Sequence, residues 1–146
     1  MHRVLSERQP DPLSMAKRAA RSLIGSARKA RSKACARYSG FKVGAALQTN
    51  GRKIYSGCNI ENASYGLSVC AERVALWKAL SEGVTKFRAL AVVTGADMVT
   101  PPCGACRQLL WEYCGDIVVH LANLRGRIDT YRLQELLPHA FDRRNL

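Results

Sequence analysis

The chain has 146 residues, of which 47% are hydrophobic and 23% charged, with a net charge of +12. That is the length of one ordinary domain with room for a sizeable core. No apolar run approaches the roughly 18 residues a bilayer-spanning helix requires, and the opening MHRVLSERQPDP has no apolar stretch of the signal-peptide kind, so no membrane-spanning helix is expected and a cytoplasmic location is the expectation.

Residues 1–13, with two prolines and mixed charges, read as a flexible arm ahead of a single domain over 14–146. Ser14 is placed to cap a helix whose apolar face is Ala16, Ala19, Ala20, Leu23, Ala27, Ala30 and Ala34, spaced by threes and fours. Gly25-Ser26 weakens its middle. Tyr38-Ser39-Gly40 ends the pattern, and Phe41, Val43, Ala45 and Leu47 then alternate as a strand. Asn50-Gly51 predicts a hairpin, with Lys53–Ser56 returning. Residues 61–69 read as a loop. A buried helix begins at Ala71 and stops at Gly83. Ala89–Val93 and Ile117–Leu121 are short apolar strands, separated by a helix near Gly104–Tyr113. Arg125-Gly126 turns the chain into a last strand, and Leu133–Leu137 is a short helix stopped by Pro138. Helices alternating with apolar strands predict a three-layer α/β/α fold around a mixed sheet of about five strands.

The charge is uneven. Between Asp11 and Glu61 there is no acidic residue, and eleven Lys and Arg fall in that stretch. A nucleic-acid surface is one reading. No aromatic residue interleaves the run from Lys17 to Arg37, so no base-stacking platform accompanies it, and a solvated basic helix is the plainer reading.

Six cysteines without a secretory leader favour metal or reduced thiols over disulfides. Cys70-Ala71-Glu72 opens one helix, and Pro102-Cys103-Gly104-Ala105-Cys106 opens another. At a helix N-terminus the dipole and free N–H groups favour thiolates. Cys70, Cys103 and Cys106 give three zinc ligands and leave the fourth tetrahedral place open, as in catalytic and not structural zinc sites. A structural site would need a fourth ligand, for which Cys35, Cys58, Cys114, His120 and His139 are candidates. Glu72 lies beside the first ligand without being one, which suits a general acid and base. The pattern is that of zinc nucleobase deaminases. Three thiolates overload the metal with negative charge, and Arg73 is placed to draw it off by donating to a ligand sulfur. Arg107, beside the second motif, reads as an exposed ion-pair partner.

The stretches YSGFKVGAAL, GCNIENASYG, CAERVALWKAL, PCGACRQLLWE and ELLPHAF, from Tyr38 to Phe141, resemble the small homotetrameric cytidine deaminases. The resemblance implies one Zn²⁺ per chain and hydrolysis of cytidine and 2′-deoxycytidine to the uridines with loss of ammonia. It implies that Glu72 moves protons between water, ring N3 and the leaving amine. Ala71 would hold the base through its backbone, Phe41 would pack on the nucleoside, and Asn59 and Glu61 would bind the ribose hydroxyl. Tyr65 and Phe141 would complete a neighbouring subunit's site. Arg37 stands where the family has proline, which would loosen the loop ahead of Phe41. The rival readings are a deaminase of blasticidin S-type or N4-substituted cytosines, a deaminase reaching single-stranded RNA or DNA, and an idle zinc module that binds RNA. Cys35, Cys58 and Cys114 match no role and read as buried thiols.

Overall fold

The computed structural model describes residues 11–146, so the expected arm lies almost wholly outside the described residues. Helix α1 spans Pro12–Arg31. It starts on a proline, whose missing N–H costs nothing in a first turn, and the Asp11 carbonyl accepts from Met15 N–H. Ser14 therefore lies inside the first turn and is not the residue before it. The helix runs unbroken through Gly25-Ser26.

Strands β1 (Val43–Thr49), β2 (Ile54–Cys58), β3 (Phe87–Thr94), β4 (Val118–Asn123) and β5 (Ile128–Arg132) form one sheet in the order β2-β1-β3-β4-β5. Only β3 and β4 are parallel, and the other pairs are antiparallel. The parallel pair is the one that needs a crossover helix, and α3 (Gly104–Cys114) supplies it. Helix α2 (Ala71–Ser81) joins β2 to β3, and α4 (Leu133–Leu136) follows β5.

Period-two alternation sends each strand's side chains to opposite faces. Ala45, Leu47, Leu90, Val92, Val119 and Leu121 pack with α2, α3 and α4. Ala46, Ala89, Ala91, Val93 and Ala122 pack with Leu23 and Ala27 of α1. The α1 face is mostly alanine because the helix lies close: a Cβ on Gly44 would sit 1.9 Å from the Ala27 carbonyl oxygen.

Several expectations are corrected. The apolar stripe of α1 is buried only at Leu23, Ala27 and Ala30, while Ala16 and Ala19 are exposed. Phe41 precedes β1 and sits in a loop. The hairpin forms at Asn50-Gly51, closed by Arg52 N–H on the Thr49 carbonyl with Arg52 left-handed (φ 67°), and its return strand runs over Ile54–Cys58 in place of Lys53–Ser56. The loop over 61–69 contains one 3₁₀ turn, Tyr65–Leu67.

Candidate active site

Cys70 and Cys103 are the N-cap residues of α2 and α3, both in extended conformation, and neither thiol caps its own helix. The two thiols are thus free to face each other, 3.9 Å apart between Sγ atoms. Cys106, one turn into α3, is fully buried beneath them. The three Sγ atoms lie within 4.8 Å of one another. Zinc–sulfur bonds of about 2.3 Å at tetrahedral angles set sulfurs about 3.8 Å apart, so the donor set and its spacing fit one Zn²⁺ per chain. Among the described residues no fourth His, Cys, Asp or Glu joins the cluster, which is the arrangement of an open and not a closed site.

Arg73, in the same turn as Glu72, donates from Nη2 to Cys70 Sγ at 3.5 Å. A hydrogen bond from Cys106 and then the Arg73 guanidinium hold the Cys70 thiol down to about 5. The neighbouring Cys70 and burial push the Cys106 thiol up. The site therefore already favours a thiolate beside a cation. Glu72 is 5% exposed, and burial pushes its carboxyl up to about 7. A carboxyl so poised can both take and give a proton near neutrality.

A cavity of about 480 Å³ opens over this cluster, lined by Phe41, Asn59, Glu61, Tyr65, Cys70, Ala71, Glu72 and Cys103 among others. Residues far apart in sequence are brought together by backbone bonding of the loops. Asn59 accepts from Val43 N–H (2.9 Å) and donates to the Phe41 carbonyl (2.8 Å), bracketing the Phe41 loop. Glu61 accepts from Tyr38 N–H, Ser39 N–H and the Ser39 hydroxyl, the last at 2.6 Å. These bonds lower its carboxyl below the usual range, with the Ser39 hydroxyl the largest cause. The Ser39 hydroxyl in turn accepts from Phe41 N–H. The loop after Arg37 is therefore tied down by Glu61 without a proline. Ser39 lines the cavity and was not singled out from sequence, since its signal is a bond across 22 positions.

The remaining candidates lie as follows. Tyr65 is 78% exposed at the mouth of its own chain's cavity, edge-on to Tyr38. Phe141 is 60% exposed and does not line that cavity. Arg107 is not an exposed ion-pair partner: its guanidinium donates to the Pro102 and Leu136 carbonyls. Cys114 is half-buried against the core, its thiol pushed up to about 12 by burial, and Cys58 is half-buried too. Cys35 departs from expectation, being exposed in an isolated bridge to Ile60.

A layered α/β domain that brings two helix N-termini, three thiols and a buried carboxyl to the floor of one cavity is the build of a zinc hydrolase. The family model described as the cytidine and deoxycytidylate deaminase zinc-binding region matches residues 17–121, and the chain belongs to that family. It is 49% identical over 125 residues to a cytidine deaminase of Sporosarcina psychrophila, covering 85% of this chain and 92% of that one. It is 52% identical over 120 residues to the cytidine deaminase of Halalkalibacterium halodurans, covering 82% and 91%. The crystal structure of a Burkholderia pseudomallei cytidine deaminase superposes with a TM-score of 0.81 at 49% identity, covering 83% of this chain and 98% of that one.

Proposed function

We propose that this chain hydrolyses the C4 amine of cytidine and 2′-deoxycytidine, consuming water and releasing uridine or 2′-deoxyuridine and ammonia. The observation that carries it is Glu72, a buried carboxyl with a raised pKa beside three clustered thiols on a nucleoside-sized cavity. Cys70, Cys103 and Cys106 hold the zinc, which when bound supplies the Lewis acidity that makes a water nucleophilic near neutral pH. Glu72 takes the proton released by the attacking water and returns protons to ring N3 and to the departing amine. The backbone of Ala71 holds the base. Phe41 packs on the nucleoside, and Asn59 and Glu61, which brace the Phe41 loop from the segment after β2, meet the ribose hydroxyl. Arg73 offsets the charge of the thiolates.

Phe141, largely exposed and away from its own chain's cavity, fits a homotetramer in which each subunit finishes a neighbour's cavity, and Tyr65, exposed at the mouth of its own, would meet that neighbour there. Such closure admits a nucleoside and excludes a polymer. Free thiols at all six cysteines suit a reducing compartment, the cytoplasm, and a role in pyrimidine salvage. Among the described residues no helix is long and apolar enough to cross a membrane. Steady-state kinetics on cytidine, deoxycytidine, cytosine and blasticidin S test the reading. Turnover of both nucleosides supports it, and turnover of blasticidin S alone defeats it.

A further inference from the structure

Resting on the zinc reading above, we propose that Arg107 is a positioning residue for the zinc ligand Cys103, and that the C-terminal segment, residues 133–144, is the brace it pulls against. Cys103 is the most exposed of the three thiols. It lies ahead of the first helical residue and follows two prolines in a stretch that is neither helix nor strand, the second of them, Pro102, fully buried. Nothing in the helical hydrogen-bond ladder fixes the peptide that leads into it.

Arg107 supplies that fixation. From the first turn of α3 its side chain turns back, donating from Nε to the Pro102 carbonyl at 2.7 Å and from Nη1 to the Leu136 carbonyl at 2.6 Å. The Pro102 carbonyl belongs to the peptide plane that continues into Cys103 N, so holding it orients the ligand residue. A guanidinium presents its donors in a rigid planar fork, which sets the distance between the two carbonyls. The far end is well anchored. Leu133 of α4 is fully buried, and its N–H donates to the Ile117 carbonyl.

Helix α3 grips the segment twice more. Gln108 Nε2 donates to the Phe141 carbonyl at 2.8 Å, and Trp111 Nε1 donates to Asp142 Oδ2 at 2.9 Å. Arg144 pairs with the same carboxylate at 2.6 Å, and Asp142 caps the final 3₁₀ turn by accepting from Arg144 N–H. Residues 107, 108 and 111 of α3 thus each hold a chain segment remote from the ligands. A tail merely docked for stability would not need one of its bonds carried through to the carbonyl before a thiol ligand.

The test is zinc release from the purified holoenzyme into excess chelator, followed with a colorimetric zinc indicator. Arg107→Gln should release zinc about tenfold faster or more, the range expected when a partner that orients a ligand is lost. Arg107→Lys, able to reach one carbonyl at a time, should fall between, and Asp142→Ala should speed release less than Arg107→Gln. Leu23→Ala, in the core on the opposite face of the sheet, serves as a variant of comparable thermal destabilisation and should release zinc like wild type once its lower Tm is matched by temperature. Equal release from Arg107→Gln and wild type overturns the brace, as does equally fast release from Leu23→Ala. A wild-type chain that binds no zinc overturns the zinc reading and the brace with it, whereas a zinc-loaded wild type with an unaffected Arg107→Gln overturns the brace alone.

Discussion

Ser39 illustrates how a single hydroxyl ties pocket to loop. It donates to Glu61 and accepts from Phe41 N–H, so it links the residue proposed to meet the sugar with the one proposed to pack on the nucleoside. Because the Glu61 carboxyl is lowered from 4.5, mainly by Ser39, the folded loop gains stability that is present above that value and lost as pH falls through the lowered one. Ser39→Ala should therefore move the acid-side rise in cytidine KM to higher pH and leave kcat near neutrality close to wild type. Parallel KM–pH profiles in the two proteins would contradict this. Arg73 is the second residue whose role is geometric. With its donor to Cys70 Sγ removed, Arg73→Gln should lower zinc content and shift the pH–rate profile upward, since more thiolate charge then reaches the metal. Metal analysis and kcat/KM against pH check both.

At the scale of elements, the ligand helix α2 is seated by a glycine. A Cβ on Gly57 of β2 would lie 2.6 Å from the Ala71 carbonyl oxygen and 2.7 Å from Ala75 N. Gly57→Ala must push α2 off the sheet at the turn that carries Glu72. It should cost about 1–3 kcal/mol by urea unfolding and reduce activity more than a core variant of equal stability. The elements themselves were legible because burial imposes its period: Ala45 and Leu47 face one layer, Ala46 the other. What escaped was set by neighbours. The α1 stripe continues past the sheet, so Ala16 and Ala19 match the period and bury nothing. Phe41 extends the alternation of β1, yet Asn59 holds its carbonyl in a loop. Arg52, after the Asn50-Gly51 pair, takes the left-handed place in the hairpin. The three clustered thiols and the buried Glu72 beside them were readable from spacing at two helix starts, whereas the roles proposed for Ser39 and Arg107 depend on bonds across 22 and 29 positions that no local pattern carries.

For the whole molecule, the basic first half reads differently once folded. Arg31 turns its Nε onto the Lys42 carbonyl and is structural, while Lys17, Arg18, Arg21, Arg28 and Lys29 remain exposed along α1, on the face of the sheet opposite the thiols. That separation of charge and cavity favours a small substrate over a polymer. The proposed assembly makes its own prediction. Light scattering should give the mass of four chains, and Phe141→Ala should keep that mass and the zinc while raising cytidine KM severalfold. A monomer with wild-type KM would contradict it. The most direct test of the account as a whole compares ammonia release from cytidine with zinc content in wild type and Glu72→Ala. The account predicts about one zinc per chain in both, as a three-thiolate site requires, with activity in the wild type and none in the variant above background. Activity retained by Glu72→Ala, or lost only because its zinc is lost, would contradict it.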